Sequence, residues 1–225
     1  MYDCLSDIEH NQIFGLLSED ELGILDKKKT SVYYKKGDTI IKQGTLANTV
    51  VYSKTGSFKL IMEGDQKSII LTLKGHKVFL GLSSLYYINN IHLYSVIALE
   101  DCEVDIYDTY SFKAVLEQNV AFSNQIIKFL NHNSARIYKR FINMTEKNAR
   151  GKVSNMLLCF ANSLYCSPAF QLTLTRQELG EYLGLSMENI IRILKEFEVD
   201  NLIEVNGKNI KVIDVEALEK ICNYG

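Results

Sequence analysis

The chain has 225 residues, of which 47% are apolar and 23% are charged, values typical of a soluble globular protein of one or two domains and not of a disordered chain. The net charge is −2, so overall charge gives no argument for a nucleic-acid partner. The charge is unevenly divided, because residues 119–148 carry +4, residues 1–118 carry −4 and residues 149–225 carry −2.

The cysteines and the N-terminus predict a cytoplasmic protein with free thiols. The number of cysteines is odd, none is spaced C-x-x-C, and the first residues, MYDCLSDIEH, have neither a basic start nor a long apolar run. Residues 78–99 and 153–175 lack Asp, Glu, Lys and Arg, but the polar residues inside them favour buried structure over a membrane span. The cysteines are Cys4, Cys102, Cys159, Cys166 and Cys222.

The first half of the chain predicts a helix followed by short antiparallel strands. Residues 1–30 have leucines at helical spacing, and Ser18 can cap a turn that begins with three acidic residues. From Val32 onward, runs of β-branched and aromatic residues alternate with Gly-containing turns, at a spacing typical of a sandwich, roll or barrel. The predicted strands are 32–34, 39–41, 50–52, 58–62, 69–73, 94–98 and 102–107.

Residues 119–148 contain no Gly or Pro and predict one long helix. Apolar residues recur along it at a/d spacing with polar interruptions, which is typical of a coiled-coil seam. A basic helix of this kind after a β domain favours parallel dimerisation, and the alternative is a helix packed on its own domain. The predicted dimer seam consists of Ile127, Leu130, Ser134, Ile137, Phe141 and Met144.

The C-terminal segment predicts a helix-turn-helix. A helix over about 153–164 comes first, and Thr175 to Glu178 then has the form of a capping box. Gly184 ends the capped helix, and Ser186 is a natural N-cap for a second one. In that second helix, Ile190, Leu194 and Phe197 are spaced to face inward, so the outer face carries Glu188, Asn189 and Arg192.

A β-hairpin is predicted directly after these helices. Asn206-Gly207 lies between two alternating runs, which is a strong hairpin signal. The hairpin would form a wing with Lys208 and Lys211 at or near its tip, and a helix over about 215–221 closes the chain.

At these residues the chain resembles the Crp/Fnr family of bacterial transcription regulators. The similarity is closest in TRQELGEYLGLSMENIIRILKEFEVDNLIEVNGKNIKV, residues 175–212, which looks like the DNA-binding signature of the family. The β-rich part is similar to the cyclic-nucleotide-binding-type roll of the family, with G-x-x-I-x-x-x-G at Gly37, Ile40 and Gly44. The resemblance implies an α+β fold with an N-terminal antiparallel, jelly-roll-like β-roll (1–118), a long dimerisation helix (119–148) and a C-terminal winged helix-turn-helix DNA-binding domain (149–225).

The resemblance further implies a homodimer that binds a palindromic operator in double-stranded DNA. The recognition helix of each subunit, about 186–198, would enter the major groove, and RNA polymerase would be a further partner of an activator. Glu188 can accept from cytosine N4, Asn189 could read adenine and Arg192 can donate to guanine O6 and N7. The alternative for Glu188 and Arg192 is an exposed ion pair between adjacent helical turns.

Met187 departs from the family pattern, because the best-known members carry arginine at that position. A methionine cannot donate to guanine, although it could contact a thymine methyl group, so we expect a different half-site. Thr175, Arg176 and Gln177 resemble the phosphate contacts of the family. The predicted DNA contacts are Thr175, Arg176, Gln177, Met187, Glu188, Asn189, Arg192, Lys195 and Lys208.

The sequence argues against cyclic AMP as the effector. Members that bind it carry a Gly-Glu pair and an Arg-Ser pair, but here Leu82 stands in place of the Glu and Tyr94 in place of the Arg. Ile137-Tyr138 replaces the adenine-facing Thr-Ser pair. No Lys or Arg occurs from Val78 to Phe112, although a buried phosphate needs charge-assisted donors.

The effector is therefore unknown, and no cofactor or metal is predicted. An iron–sulfur cluster needs about four thiolates, and only Cys4 lies near the N-terminus. Haem would depend on a lone histidine, His76 or His92, and such residues are more often structural or exposed. An apolar effector and a ligand-free core both stay open. The candidate pocket consists of Phe79, Leu82, Tyr86, Tyr94, Ser95, Ile97, Ile137 and Tyr138.

No catalytic motif occurs, so an enzyme is not expected: the chain has no phosphate-cradling Gly loop, no H-E-x-x-H and no G-x-S-x-G. The second interpretation is a small-molecule sensor that acts through protein contacts without reading an operator. Met187 is the residue that keeps this alternative open.

Overall fold

The computed structural model describes residues 13–65 and 68–225. These residues form two compact units: residues 13–134, here called the roll unit, and residues 135–225, the winged-helix unit. The boundary between them falls inside the long helix. The part of the predicted N-terminal helix that precedes residue 13 lies outside the described residues.

The roll unit contains two antiparallel four-stranded sheets, in the orders β1-β8-β3-β6 and β2-β7-β4-β5. This arrangement confirms the predicted antiparallel roll, and it adds one short strand, β6, that the sequence analysis did not predict. The strands are β1 (Thr30–Tyr34), β2 (Thr39–Ile41), β3 (Thr49–Ser53), β4 (Phe58–Glu63), β5 (Ser68–Lys74), β6 (Phe79–Leu80), β7 (Ser95–Ala98) and β8 (Cys102–Asp108).

Strand β3 of the first sheet is buried on both of its faces. On β3, Val51 belongs to a core cluster that includes Leu60 and Val96 of the second sheet, which we call the inter-sheet cluster. Its neighbours Val50 and Tyr52 point the other way, because side chains alternate along a strand. They belong to a second core, the helix-side cluster, formed with residues of the helices α1 (Glu19–Asp26), α2 (Thr109–Gln118) and α3 (Val120–Glu146).

The start of α1 confirms the predicted cap. The Ser18 hydroxyl accepts a hydrogen bond from the Glu21 amide at 3.3 Å, and Glu21 Oε2 accepts one from the Ser18 amide at 2.8 Å. This capping box satisfies two amides that otherwise have no partner in the helix. Leu25 is buried, whereas Leu16 is exposed.

The long helix α3 is confirmed, from Val120 to Glu146. Within the roll unit, Phe122, Ile126 and Phe129 are buried in the helix-side cluster. These side chains are spaced by four and three residues, so they form one stripe that anchors the first half of α3.

The winged-helix unit contains the predicted pair of helices and hairpin. The helix predicted over 153–164 begins earlier than expected, because Asn148 caps it by accepting from the Gly151 amide at 3.0 Å, and its last turn, Phe160–Leu164, is a π-helix. A third strand, β9, was not predicted; it pairs with β11. The elements are α4 (Ala149–Cys159), β9 (Ala169–Gln171), α5 (Arg176–Leu183), α6 (Met187–Val199), β10 (Ile203–Asn206), β11 (Asn209–Val212) and α7 (Val215–Tyr224).

Among the described residues, the expectation that the thiols are free is wrong for Cys159. Cys102, Cys166 and Cys222 are free, but Cys159 is disulfide-bonded. Sequence spacing missed this bond because pairing depends on which cysteines the tertiary structure brings together. Across the described residues, no helix has the length and apolar character needed to cross a membrane.

Candidate functional site

The helix-turn-helix begins at the capping box predicted for α5. The Thr175 hydroxyl accepts from the Glu178 amide at 3.2 Å, and Glu178 Oε2 accepts from the Thr175 amide at 2.8 Å. Gln177 is exposed on the first turn and its side-chain amide donates to Glu181 Oε1 at 3.2 Å. The box sets the point at which α5 begins, and so it places Thr175, Arg176 and Gln177 at the helix start.

The turn between α5 and α6 depends on two glycines. Gly184 ends α5 with a left-handed backbone (φ 64°), a conformation that costs glycine little. Gly180 is needed for a different reason, because a Cβ atom there would lie 2.6 Å from the backbone oxygen of Leu185. The two helices therefore cross too closely for any larger residue at 180. Gly180 is not among the predicted residues, although a glycine inside an amphipathic helix was the available signal.

The second helix of the pair, α6, is held by one apolar face. Ser186 caps it by accepting from the Asn189 amide at 3.2 Å, as predicted. Ile190, Leu194 and Phe197 are buried, which confirms the predicted inward face, and Ile193 joins them. Because these residues fix the rotation of α6 about its axis, its opposite face is presented to solvent.

That outer face carries the predicted base-reading residues. Met187, Glu188, Arg192 and Lys195 are exposed, and Asn189 is half-buried. Hydrogen bonds from the backbone amide of Glu188 itself and then from the Ser186 hydroxyl lower the pKa of the Glu188 carboxyl group. Glu188 is therefore an ionised hydrogen-bond acceptor at neutral pH. An open groove of about 600 Å³ runs along this face, lined by Arg150, Glu188, Ile191, Arg192, Lys195, Glu196, Val199 and Asp200.

Ile191 is a residue of this groove that the sequence analysis did not select. Its side chain is 48% exposed although it is a large aliphatic residue. It lies one helical turn after Met187, so the outer face has an apolar edge beside its charged centre. An isoleucine at an outward position of an amphipathic helix was the signal that could have identified it.

The cations of the outer face have partners within the protein. Arg192 forms an ion pair with Glu196 and donates from Nη2 to Asn189 Oδ1 at 3.2 Å, and Lys195 Nζ lies 2.7 Å from Glu198 Oε2. The ion pair considered between Glu188 and Arg192 is thus not the pair that the structure records for Arg192.

The wing forms a hairpin next to the start of α5. Asn206 pairs with Asn209, so Gly207 and Lys208 make the turn, one position later than Asn206-Gly207. Arg176 Nη2 donates to the Gly207 carbonyl at 3.0 Å, and its partial burial lowers its pKa, although a guanidinium stays protonated at neutral pH. This bond ties the wing to α5, while Lys208 is exposed at the turn.

The predicted effector-pocket residues have several different surroundings. Phe79 and Leu82 belong to the helix-side cluster, whereas Tyr94 packs against the inter-sheet cluster. Tyr86 is 66% exposed, with the ammonium of Lys113 over its ring at 4.8 Å. Ile97 is half-buried on β7, and Ile137 and Tyr138 are exposed side chains of the winged-helix unit.

Two polar residues of the predicted pocket make hydrogen bonds within the roll. The Tyr94 hydroxyl accepts from the Gly81 amide and from the Ser83 hydroxyl, both at 3.3 Å, and burial raises its pKa, so it stays a neutral phenol. Ser95 is buried; its hydroxyl donates to Glu63 Oε1 at 2.8 Å and accepts from the Gln43 amide at 2.9 Å. Local contacts thus occupy both side chains.

The two histidines considered for haem have different surroundings. His76 is exposed. His92 is buried, its Nδ1 has no hydrogen-bond partner in the part of the chain that the structure describes, and burial lowers its pKa. His92 is therefore a neutral imidazole in the folded roll at pH 7.

The predicted dimer seam is partly exposed. Ile127, Ile137 and Phe141 are exposed, whereas Leu130 packs against the helix-side cluster. The Ser134 hydroxyl donates to the Leu130 carbonyl at 3.1 Å. Met144 contacts the α5–α6 turn, because its Cε atom lies 2.9 Å from where a Cβ of Gly184 would be.

Comparison with known proteins agrees with both halves of this description. Residues 31–119 match the cyclic nucleotide-binding domain family, and residues 151–221 match the Crp-like helix-turn-helix domain family. The transcriptional regulatory protein btr of Bordetella pertussis is 25% identical over 200 residues, 86% of this chain and 81% of that protein. The cAMP-activated global transcriptional regulator CRP of Pasteurella multocida is 28% identical over 187 residues, 80% of this chain and 88% of that protein.

Solved structures share the fold. FixK2 from Bradyrhizobium japonicum has a TM-score of 0.78 at 18% identity, over 86% of this chain and 96% of that one. A CooA mutant from Carboxydothermus hydrogenoformans has a TM-score of 0.77 at 18% identity, over 98% of this chain and 99% of that one. With its cyclic nucleotide-binding-type roll and its Crp-like helix-turn-helix, the chain belongs to the Crp/Fnr family of DNA-binding transcription regulators.

Proposed function

We propose that this regulator is a homodimer that reads a two-fold symmetric operator with α6 in the major groove and responds to an effector other than cyclic AMP. The observation that carries the proposal is the outer face of α6. There Glu188 and Arg192 are exposed on a helix whose opposite face is fully anchored in the core.

The residues of this face have distinct hydrogen-bonding capacities. The Glu188 carboxylate accepts, which suits cytosine N4, and Arg192 donates from a planar fork, which suits guanine O6 and N7. Asn189 can both donate and accept, which suits adenine, and Met187 offers an apolar contact to a thymine methyl group. The half-site would therefore differ from one read by an arginine at position 187.

Phosphate contacts would come from few cations, because residues 149–225 carry a net charge of −2. Arg176 lies at the start of α5, and Lys208 lies at the wing turn. The hydrogen bond from Arg176 to the Gly207 carbonyl joins the helix start to this turn. Thr175 and Gln177 at the same helix start and Lys195 on α6 complete the proposed set. Since each phosphate contact releases counterions, the small number of cations predicts a shallow salt dependence of binding.

The proposed dimer pairs α3 with α3 of a second copy. The second half of α3 carries four exposed apolar side chains, a group that a lone helix in water would not favour. A parallel pair places the two recognition helices on one side of DNA, where half-sites lie about 34 Å apart. The four residues are Ile137, Tyr138, Phe141 and Ile142.

The proposal against cyclic AMP rests on Leu82 and Tyr94. Leu82 is buried and apolar where cyclic AMP-binding members carry the ribose-binding glutamate. Tyr94 directs its neutral hydroxyl at the Gly81 amide, where those members direct an arginine at the phosphate. A phosphate placed there would have no arginine to neutralise it, and it would compete with the Tyr94 hydroxyl for the Gly81 amide.

The first experiment is selection of bound fragments from genomic and random DNA by the full-length protein at a stated salt concentration. We expect a two-fold symmetric motif. Glu188→Ala and Arg192→Ala should each relax the motif at one base pair of each half-site. Glu216→Ala and Lys220→Ala on α7 are matched controls, because they remove the same kinds of charge from another helix and should leave the motif unchanged.

The outcome separates the two functional classes. A motif that does not change with Glu188→Ala or Arg192→Ala would contradict the contact assignments. No motif from purified protein, either alone or with cell extract, would favour the sensor that acts through protein contacts. Equilibrium dialysis with labelled cyclic AMP tests the remaining claim, and saturable binding at micromolar concentration would contradict it.

A further inference from the structure

Arg192 is bound on both sides before it meets DNA. Its Nη1 forms an ion pair with Glu196, one turn later on α6, and its Nη2 donates to Asn189 Oδ1 at 3.2 Å, one turn earlier. The guanidinium therefore lies along α6. A bidentate contact to guanine needs two N–H groups directed at the base edge, so the side chain must change partners to make it.

Glu196 is itself held by a second cation from another helix. Arg150, at the start of α4, places Nη1 at 2.6 Å from the other carboxylate oxygen of Glu196 and Nη2 at 3.1 Å from Asp200 Oδ2. The Arg150 guanidinium also lies 5.0 Å from the ring centroid of Phe197. Arg150 thus contacts Glu196 and Phe197 on α6 and Asp200 directly after it, and Glu196 keeps a cationic partner when Arg192 leaves.

We propose that Glu196 is a specificity-determining residue that competes with the operator for Arg192, and that Arg150 limits the strength of that competition. The inference rests on the proposed reading of guanine by Arg192. In the free protein, Glu196 holds the guanidinium along the helix. At a guanine, the O6 and N7 acceptors replace the Glu196 carboxylate as partners of the Arg192 guanidinium. Arg150 then continues to neutralise Glu196.

This competition has a calculable consequence for base discrimination. At a guanine, Arg192 leaves Glu196, and the binding free energy is reduced by the strength of the ion pair. At a base with weaker acceptors, Arg192 stays with Glu196, and binding loses nothing further. Glu196 therefore reduces both the affinity for the operator and the preference for guanine at this position. Weakening the pair should raise both quantities, whereas strengthening it should lower both.

The opposite role is also physically possible, and the sign of the effect distinguishes the two. If Glu196 held Arg192 in the orientation needed for guanine, then removing its charge would lower affinity and discrimination together. The Arg150 contacts favour competition, because a second cation on the Glu196 carboxylate weakens its attraction for Arg192.

The test uses full-length protein and the operator obtained by selection. The relevant guanine is the one whose replacement by 7-deazaguanine, which removes the N7 acceptor, weakens binding by the unsubstituted protein but not by Arg192→Ala. Fluorescence anisotropy then measures affinity for both operators. For Glu196→Gln we expect about a two- to fivefold higher affinity for the natural operator, the range of an exposed ion pair, and a correspondingly larger penalty for 7-deazaguanine.

Two further variants separate this effect from a change of charge. Glu198→Gln removes an acid from the same helix that pairs with Lys195 and not with Arg192, so it should change both affinities equally. Arg150→Met should lower operator affinity and guanine preference more in the natural protein than in Arg192→Ala. The loss of affinity that Arg150→Met causes in the unsubstituted protein, minus the loss that it causes in Arg192→Ala, measures the competition. A lost phosphate contact of Arg150 would lower affinity equally in both proteins.

The results that overturn the inference differ from those that overturn the proposed function. Selection that produces no motif removes the proposed function and this inference with it. A motif with unchanged or weaker binding by Glu196→Gln removes the inference alone. The same holds if the gain of Glu196→Gln persists in Arg192→Ala, because the gain would then arise from charge and not from release of Arg192.

Discussion

The winged-helix unit and the roll unit use their polar side chains in opposite ways. On α6, Arg192 and Lys195 are exposed and pair with acids one turn later, Glu196 and Glu198, and Arg150 reaches Glu196 from α4. In the roll, Tyr94 and Ser95 make hydrogen bonds inside the unit, to Gly81 and Ser83 and to Glu63 and Gln43. Exposed pairs exchange partners at little free-energy cost, whereas buried hydrogen bonds do not.

This difference explains why the two units allow conclusions of different detail. The chemistry of a recognition surface can be inferred from residues that are exposed and exchangeable. At Tyr94 and Ser95 of the roll, by contrast, a ligand would have to replace hydrogen bonds that the fold itself makes. The predictions below test this contrast.

The largest expected effect concerns the exposed apolar face of α3. Phe141 is 69% exposed, and Phe141→Asp should convert the dimer to a monomer, since a carboxylate would be buried in the proposed interface. Operator affinity should fall by about 10²–10⁴-fold, because each recognition helix would bind without the other. Sedimentation and anisotropy measure the two effects. Tyr224→Asp, at an exposed tyrosine of α7, is the control, and a Phe141→Asp dimer would contradict the proposed interface.

Glycine-to-alanine substitutions compare the packing of the two units directly. Gly180→Ala should lower the free energy of unfolding by about 1–3 kcal/mol, because its Cβ would lie 2.6 Å from a backbone oxygen that cannot move without separating α5 and α6. Gly23→Ala in α1 has no atom within 4 Å of the new Cβ and should raise stability by up to about 1 kcal/mol. Urea unfolding followed by circular dichroism measures both. Equal effects would show that the α5–α6 crossing can relax.

Local signals in the sequence were sufficient for much of the fold. Four predicted features depend on residues within one or two turns of one another, and all are present: the cap at Ser18, the capping box at Thr175, the long helix α3 and the wing hairpin. The short strands β6 and β9 were missed, because each has two or three residues and is defined by its partners, β3 and β11, far away in sequence.

The site residues also divide into features that local spacing predicts and contacts that depend on tertiary packing. The inward and outward faces of α6 followed from its periodicity, but the partner of Arg192 did not, because Glu188 and Glu196 both lie four residues away. Arg150, which reaches Glu196 from α4, is a tertiary contact that no local spacing contains. The pocket residues of the roll were selected from the stretches that match the phosphate-binding segment of the family. That Phe79 and Tyr94 join different core clusters could not be predicted, since it depends on the packing of both sheets.

The Tyr94 hydroxyl offers a test inside the roll. Tyr94→Phe removes the acceptor of the Gly81 amide and of the Ser83 hydroxyl, so unfolding should cost about 1–2 kcal/mol less. Tyr110→Phe is a matched control, because Tyr110 is 80% exposed and should lose almost nothing. Urea denaturation at pH 7 compares them. No difference between the two variants would mean that water replaces the lost hydroxyl, and the contrast between buried and exposed polar groups would weaken.

The two capping boxes give the smallest effect and the most direct comparison of the units. Ser18→Ala and Thr175→Ala each remove one side-chain acceptor at a helix start, and each should destabilise the protein by about 1 kcal/mol. Only Thr175→Ala should also weaken operator binding, because Thr175 sets the start of α5 beside the proposed phosphate contacts Arg176 and Gln177. Thr175→Ser keeps the acceptor and should restore both properties. If Ser18→Ala weakened DNA binding as much as Thr175→Ala, the loss would report global stability, and the helix start of α5 would have no separate role in holding the operator.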